Sequence, residues 1–174
     1  MHDSLQVLLS QEQIAKKVEQ LGRELSHEYQ GKEPLMVCIL KGAVVFFADL
    51  IRCITIPVKI DFMAVSSYGK ATKTSGVVQI LKDLDSSIEG RHLVIVEDII
   101  DTGLTLNYLL ENLKSRRPAS LKICVLLDKI ECRQVEVIPD YQGFVIPDEF
   151  VVGYGLDCAD KYRNLRDVCI LSRP

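Results

Sequence analysis

The sequence predicts an α/β fold in which a central, mainly parallel β-sheet is flanked by helices. Parallel strands buried on both faces are indicated by three apolar runs: Leu35–Leu40 and Leu93–Val96, which are unbroken, and Leu121–Leu127, in which Lys122 is the one charged residue. Apolar residues at helical spacing follow the first two runs, over Ala43–Ile54 and over a segment ending near Pro118. Polar and charged residues come directly after the strands, so we expect the chemistry at the carboxyl edge of the sheet.

Length and composition indicate one globular domain covering residues 1–174. The chain is 48% hydrophobic and 26% charged, which is enough for one sizeable core. With a net charge of −3, the chain lacks the positive electrostatic field that is typical of nucleic-acid-binding proteins. No apolar run reaches membrane-spanning length and no signal peptide is recognisable, so we expect a cytoplasmic location without a membrane partner. The six cysteines lack metal-ligand spacing, which favours reduced thiols.

The remaining elements follow from local patterns. Ser10 and Gln13 form a capping box that predicts a first helix running to about Gly31. Two further strands are predicted over Pro57–Val65 and Gly76–Leu81. The segment between them is small, polar and basic, which is typical either of a flexible hairpin loop or of a lid.

The stretch Leu93–Asn107 combines the central strand with most of the polar residues that could carry chemistry. Helix N-termini at the carboxyl end of a sheet bind anions, and a glycine lets the backbone approach a phosphate closely. Carboxylates in the same stretch would repel that phosphate. The repulsion is avoided if the ligand places hydroxyl groups against the carboxylates and a divalent cation binds any second group of phosphate oxygens. A phosphorylated ribose meets both conditions. The residues concerned are Glu97, Asp98, Asp101, Thr102, Gly103 and Thr105.

The run from Val94 to Leu106 resembles the phosphoribosyl-diphosphate signature of the type I phosphoribosyltransferases. Its core, Val-Glu-Asp-Ile-Ile-Asp-Thr-Gly, is the form typical of the hypoxanthine and hypoxanthine-guanine members. The resemblance implies that Glu97 and Asp98 bind the ribose hydroxyls and that Asp101 is the general base or acid at purine N7. It also implies that the 5′-phosphate is bound by Thr102, Gly103, Leu104 and Thr105.

Two further segments match the family around the pyrophosphate. Lys41 and Gly42 end a predicted strand and open a helix, which fits an anion-binding corner as well as an ordinary turn. The resemblance implies that this pair contacts the pyrophosphate, in a loop where a non-proline cis peptide bond can occur. Ser67 and Tyr68 match a Ser-Tyr pair on the loop that closes over the site in this family and excludes water.

The purine site is implied by residues after the later strands. Lys129 matches a lysine that donates to the exocyclic oxygen at position 6, and a donor-only ammonium group disfavours adenine. Phe150 matches the ring that stacks on the base, and Val151 matches a residue whose backbone contacts the purine edge. Proline commonly follows the lysine in relatives, whereas Ile130 does so here.

The resemblance also implies a Mg²⁺ site. Asp157 borders the predicted purine site and aligns with a carboxylate that helps to hold magnesium near the pyrophosphate. Glu97 and Asp98 are the other predicted metal ligands. Arg163 aligns with an arginine that binds pyrophosphate, although a lone surface arginine would look the same in the sequence.

Together these features predict a purine-salvage transferase that converts hypoxanthine, and also guanine, into IMP and GMP. Phosphoribosyl diphosphate is the second substrate and pyrophosphate the second product. The fold expectation includes a small hood made from the N-terminal and C-terminal segments, and apolar surfaces predict a homodimer or homotetramer. A sensor that only binds phosphoribosyl diphosphate is the alternative from another class. Lys129 with Phe150 favours a 6-oxopurine over a pyrimidine without separating hypoxanthine, guanine and xanthine.

Overall fold

The computed structural model of the protein, which describes residues 4–67 and 78–172, contains two β-sheets, the larger one covered by helices. No helix of the described part is both long and apolar enough to span a bilayer. All six cysteines are free thiols.

The described helices are α1 (Gln11–Glu28), α2 (Val44–Cys53), α3 (Leu104–Ser115) and a short 3₁₀ helix (Ile130–Cys132). The described strands are β1 (Ser4–Leu9), β2 (Leu35–Leu40), β3 (Lys59–Ser67), β4 (Val78–Lys82), β5 (His92–Ile100), β6 (Ser120–Asp128), β7 (Tyr141–Val145), β8 (Val151–Val152) and β9 (Val168–Ser172).

The large sheet has the strand order β4-β3-β2-β5-β6-β7, and its pairs are parallel except for the edge strand β4, which runs antiparallel to β3. The predicted mainly parallel sheet is therefore confirmed. Strand β5 is central, and Val94 and Ile95 within it are fully buried. Its carboxyl end lies beside those of β2 and β6, so polar residues that follow these three strands converge at one edge.

The two faces of β5 pack against different helices. Val94 and Val96 belong to the apolar cluster that includes residues of α1 and α2, whereas Leu93 and Ile95 belong to the cluster that includes residues of α3. Successive side chains of a strand point to opposite faces, so this alternation is the expected pattern for a strand covered on both sides. The continuous apolar runs of the sequence have this origin.

The central strand is longer than predicted. The predicted end at Val96 is wrong, because pairing with β6 continues through Ile99 with Leu127 and Ile100 with Asp128. Glu97 and Asp98 therefore lie on the strand and not in the connection that follows it. The ladder to β6 satisfies the backbone of this acidic segment, which a pattern based on side-chain hydropathy does not detect.

The small sheet joins the two ends of the chain and forms the predicted hood. Its order is β1-β9-β8, with antiparallel pairs throughout. Val152, Cys169 and Leu171 form its own small apolar cluster. The sequence analysis predicted this hood without predicting its strands, because Leu5 and Val7 on β1 are exposed and give no clear core-facing pattern. The capping box at Ser10, in contrast, is present as predicted.

Gly22 is required by the close packing of α1 against α2. A Cβ atom at this position would lie 2.6 Å from Cys53 Cβ and 2.8 Å from the Cys53 carbonyl oxygen. We expect Gly22→Ala to lower the free energy of unfolding by about 1–2 kcal/mol, since overpacking outweighs the gain in helix propensity. Denaturant unfolding measures this change. Lys16→Ala, on the exposed face of the same helix, is the control and is expected to remain within about 0.5 kcal/mol of the parent protein; an equally stable Gly22→Ala would contradict the packing account.

Candidate active site

Two adjoining cavities at the carboxyl edge of the large sheet contain most of the predicted site residues. They measure about 380 Å³ and about 190 Å³, and Asp98, Ile99 and Asp101 line both. The larger cavity is also lined by Lys41, Gly42, Lys129, Phe150, Val151, Leu156, Asp157 and Arg163. The smaller is also lined by Glu97, Ile100, Thr102, Gly103, Thr105 and Leu106.

The smaller cavity lies at the turn from β5 into α3. Gly103 is the N-cap residue and has a φ of 82°, a left-handed conformation that glycine adopts without strain. The Leu104 N–H donates to Thr102 Oγ1 at 3.4 Å, and the first N–H groups of any helix have no carbonyl partner within it. This end of α3 therefore presents backbone donors and the positive end of the helix dipole to the cavity, which suits a phosphate group.

Glu97 and Asp98 are partly exposed acids with raised pKa values. Desolvation, followed by the neighbouring Asp98 charge, raises the pKa of Glu97 well above its usual range. Desolvation raises the pKa of Asp98 to about 6, although the Ile99 N–H donates to its carboxylate at 2.8 Å. Arg163 favours the charged form of Asp98 and Asp157 disfavours it. The pair is therefore short of compensating donors or cations.

The Lys41–Gly42 loop lies directly against Asp98. The peptide bond between Leu40 and Lys41 is cis. A Cβ atom at Gly42 would lie 1.7 Å from Asp98 Oδ2, so only glycine allows the loop to approach this carboxylate so closely. The ammonium group of Lys41 is exposed and lies 3.8 Å from an Asp160 carboxylate oxygen. The loop thus offers an exposed cation and a closely approaching backbone to the larger cavity.

Arg163 and Asp157 also line the larger cavity. Arg163 Nη2 lies 2.7 Å from Asp157 Oδ1, and Nη1 donates to the Gly155 carbonyl oxygen at 2.8 Å. Asp157 Oδ2 accepts from the Asp160 N–H at 2.8 Å. These contacts hold the guanidinium group and the carboxylate in fixed orientations, and both line the cavity that Lys41 also lines.

Lys129, Phe150 and Val151 lie together in the larger cavity, as the resemblance implies for a base site. Lys129 is buried, and its backbone N–H donates to the Ile100 carbonyl oxygen at 2.9 Å. Its side-chain ammonium group lies 3.4 Å from Asp148 Oδ1. The Phe150 ring is half exposed, whereas Val151 is buried. A cation, an apolar ring face and strand backbone thus border one space.

Some predicted residues lie elsewhere. Leu104 lines neither cavity, so its predicted contact can come only from the backbone at the start of α3. Ser67 is the last residue of β3. Tyr68 lies outside the described residues.

Sequence reasoning missed the residues beneath the site. Asp128 is 2% exposed, accepts from Gln142 Nε2 at 2.6 Å and is paired with Arg133. The Arg133 side chain also packs near Gly103, where an added Cβ atom would lie 3.1 Å from Arg133 Cδ. The only signal for this pair was the charge of Asp128 at the end of an apolar run, and the position of its partner depends on the fold.

The acids of the site fit a hard divalent cation that is shared with a ligand. Among the described residues, no group of three or more His, Cys, Asp or Glu side chains forms a ready-made metal cage. Asp98 and Asp157 line the same cavity and repel each other, and both offer oxygen ligands of the kind that Mg²⁺ prefers. Mg²⁺ commonly takes one or two carboxylates and completes its shell with water and substrate phosphates.

Comparison with known proteins agrees with this fold. The family model of the phosphoribosyl transferase domain matches residues 4–159. The chain therefore belongs to the phosphoribosyltransferase family, whose members are transferases.

Particular relatives narrow the comparison. The chain is 54% identical over 170 residues to the hypoxanthine-guanine phosphoribosyltransferase of Bacillus subtilis (strain 168), covering 98% of this chain and 94% of the relative. A solved hypoxanthine-guanine phosphoribosyltransferase of Bacillus anthracis, with a HEPES molecule in its active site, matches with a TM-score of 0.92 and 48% identity over 96% of this chain and 98% of that one. A Trypanosoma cruzi hypoxanthine phosphoribosyl transferase, solved in work on its C-terminal region, oligomeric state and activity, matches with a TM-score of 0.92 and 43% identity over 99% and 93% of the two chains.

The raised pKa of Asp98 predicts a pH-dependent gain in stability on removing its charge. Because the folded-state pKa of about 6 exceeds the ordinary value of 3.8, ionised Asp98 lowers the free energy of unfolding as pH rises through that window. We expect Asp98→Asn to be more stable than the parent protein by roughly 1–3 kcal/mol near pH 7.5 and to lose that advantage near pH 4.

Unfolding curves at the two pH values measure this difference. Exposed Glu149→Gln removes one negative charge without desolvation, so it is expected to show no such pH-dependent gain. An Asp98→Asn protein less stable than the parent at both pH values would contradict the account.

Proposed function

We propose that the protein is a purine-salvage enzyme that joins hypoxanthine or guanine to phosphoribosyl diphosphate, forming IMP or GMP and pyrophosphate. The observation that carries the proposal is one cavity lined by a buried ammonium group at Lys129, a carboxylate at Asp101 and a fixed guanidinium group at Arg163. These groups supply an oxopurine donor, a proton acceptor and an anion site within one space. The named relatives support the same reaction.

The sugar end is proposed to bind across the smaller cavity. The 5′-phosphate accepts hydrogen bonds from the start of α3, through the backbone and hydroxyl groups of Thr102, Gly103, Leu104 and Thr105. The ribose hydroxyls donate to Glu97 and Asp98, which lie next to these donors along the chain. Hydroxyl groups supply the donors that this acidic pair lacks. The two carboxylates therefore face ribose hydroxyls, and only the phosphate group of the ligand is repelled by their charge.

The base is proposed to bind between Phe150 and Lys129. The half-exposed ring of Phe150 offers a stacking face, and the Val151 backbone and Asp157 border the purine edge. Lys129 donates to the 6-oxo group, whereas the amino group of adenine would face another donor. The Lys129 contact therefore selects 6-oxopurines, and it treats hypoxanthine and guanine alike.

The transfer requires a base nitrogen, the anomeric carbon and the leaving group in one line. A ring nitrogen of the purine forms the new bond to C1′, the bond from C1′ to the pyrophosphate oxygen breaks, and Asp101 takes the proton from N7. Lys41, the Gly42 backbone and Arg163 bind the departing pyrophosphate. Ser67 and Tyr68 are proposed to belong to a lid that keeps water from the cation-like transition state.

A divalent cation, proposed to be Mg²⁺, would be held by Asp157 and by Glu97 and Asp98. When bound, it neutralises the charge that develops on pyrophosphate oxygens. The acids of this chain orient the ligand hydroxyls and limit where such a cation can lie.

We further propose that residues 1–174 act as one phosphoribosyltransferase domain, with β1, β8 and β9 as the hood beside the base site. The larger cavity supports this, since it is lined both by residues of the large sheet and by Val151 of the hood. Assembly as a homodimer or homotetramer remains a prediction; sedimentation of the purified protein measures it.

An assay with purified protein, phosphoribosyl diphosphate and Mg²⁺ tests the function, with hypoxanthine, guanine, xanthine and adenine offered separately. Absorbance changes are expected with hypoxanthine and guanine and not with adenine. Lys129→Met removes the donor and is expected to lower kcat/KM for hypoxanthine by about 10- to 100-fold. The ratio of kcat/KM for hypoxanthine to kcat/KM for adenine is expected to fall with it. Binding of phosphoribosyl diphosphate without turnover of any base would overturn the proposal in favour of a sensor.

Asp101→Asn tests the proton-transfer role directly. We expect kcat to fall by roughly 10²–10⁴-fold while the Kd for phosphoribosyl diphosphate stays within about threefold, since the substitution keeps the side-chain shape and removes the base. Initial rates and calorimetric titration give the two values. Glu149→Gln is the matched exposed control, and an unchanged kcat for Asp101→Asn would remove this residue from proton transfer.

A further inference from the structure

A partly buried hydrogen bond links two segments that the proposed function uses for pyrophosphate. The Tyr154 hydroxyl donates to Asp49 Oδ2 on α2 at 2.7 Å, across 105 residues of sequence. Tyr154 is buried and has a φ of 50°, which is uncommon for a residue with a side chain. A residue that is held in this backbone conformation, and whose side chain reaches a carboxylate on another element, is constrained by its surroundings.

Tyr154 lies in a segment that is fastened to Arg163. The Tyr154 N–H donates to the Leu165 carbonyl oxygen at 2.9 Å and the Gly155 N–H donates to the Arg163 carbonyl oxygen at 3.0 Å. The Arg163 side chain donates back to the Gly155 carbonyl oxygen at 2.8 Å. A displacement of Tyr154 would therefore move the guanidinium group that lines the larger cavity.

Asp49 lies on the helix that continues from the Lys41–Gly42 loop. The Val44 N–H donates to the Lys41 carbonyl oxygen at 3.2 Å, so the loop and the start of α2 form one unit. The two segments also touch directly, since a Cβ atom at Gly155 would lie 2.1 Å from the Gly42 carbonyl oxygen. Backbone contact sets how close the segments lie, and the Tyr154–Asp49 hydrogen bond restricts how they can slide past each other.

We propose that the Tyr154–Asp49 hydrogen bond is a positioning contact for the pyrophosphate half of the site. It holds Arg163 in register with the Lys41–Gly42 loop, so that both can bind the same leaving group. The inference rests on the proposed function, because it takes these two segments as the pyrophosphate ligands. Neither Tyr154 nor Asp49 touches the reacting atoms in this scheme, and each acts through the residues that it holds.

The protonation state of the tyrosine suits a permanent contact. Burial, followed by the hydrogen bond to Asp49, raises the pKa of Tyr154 above its usual range. The hydroxyl group therefore remains a donor over the pH range in which such an enzyme is assayed.

Tyr154→Phe removes only the hydroxyl group and is the decisive variant. We expect a rise of about five- to twentyfold in the KM for phosphoribosyl diphosphate and in the inhibition constant of pyrophosphate. The KM for hypoxanthine is expected to stay within about twofold, since the contact leaves Lys129 and Phe150 in place. Asp49→Ala is expected to match Tyr154→Phe, the double variant to be no worse than either, and Asp49→Asn, which keeps an acceptor oxygen, to restore most of the affinity.

Tyr141→Phe is the matched control. Tyr141 is as buried as Tyr154, and its hydroxyl group also donates to a carboxylate, that of Glu28, but it lies at the start of β7, away from the carboxyl edge of the sheet. A loss of stability without a change in either constant is expected for this variant. The proposal is overturned if Tyr154→Phe and Asp49→Ala leave both constants unchanged, or if Tyr141→Phe raises them equally. Should Tyr154→Phe fail to fold, Asp49→Ala decides the matter.

Calorimetric titration separates this inference from the proposed function. Phosphoribosyl diphosphate and pyrophosphate, each with Mg²⁺, are titrated into the parent protein and the variants without any base. A parent protein that binds neither ligand would overturn the proposed function itself. A parent protein that binds both, with Tyr154→Phe and Asp49→Ala binding equally well, would overturn the positioning role alone.

Discussion

The site depends on two neighbouring carboxylates, Glu97 and Asp98, at the end of a strand that is buried on both faces. Desolvation raises the pKa of each, and the Asp98 charge raises that of Glu97 further. Charged groups in such surroundings are costly unless donors or cations compensate them. The protein supplies little compensation of its own, which leaves ligand hydroxyl groups and a divalent cation as the natural partners. An acidic strand end of this kind can therefore favour a sugar phosphate that carries both.

Glycines near this acidic pair allow neighbouring segments to pack closely around it, and this packing shapes the cavity. Gly42 allows the loop after β2 to reach Asp98, and Gly155 allows the segment between β8 and β9 to reach Gly42. Three segments that are distant in sequence thus meet: the Gly42 backbone lies against the Asp98 carboxylate, and the Gly155 backbone lies against the Gly42 carbonyl oxygen. Side-chain contacts such as Arg163 with Asp157 then fix the charged groups on this backbone frame.

The sequence predicted the parts of the protein that are encoded locally. The apolar runs revealed β2, β5 and β6, because a strand covered on both faces has no polar alternation. The Glu97–Thr105 stretch was found because its residue types at a strand-to-helix turn have few structural explanations. The family resemblance was needed for Lys129 and Phe150, since a lysine or an aromatic residue at such a position is common in any fold.

Other features depend on contacts that local patterns cannot contain. The hood strands form only because the two ends of the chain meet, as in the register from Ser4 with Ser172 to Leu9 with Val168. The Tyr154–Asp49 hydrogen bond joins separate elements, and nothing in the local sequence of either partner marks it. For the Asp128–Arg133 pair the sequence showed only a charge at the end of an apolar run and not the partner. The end of β5 was misplaced for the same reason, since pairing with β6 extends it beyond its apolar run.

The most direct test of this account counts protons when the ligand binds. If ligand hydroxyl groups and a cation compensate Glu97 and Asp98, binding of phosphoribosyl diphosphate with Mg²⁺ near pH 6 should favour their charged forms and release protons. Calorimetry in buffers of different ionisation enthalpy gives the number released, and Asp98→Asn corrects for protons lost by the ligand itself. We expect the parent protein to release more protons than Asp98→Asn. Equal release by the two proteins, each saturated with ligand, would contradict the claim that ligand binding compensates this carboxylate.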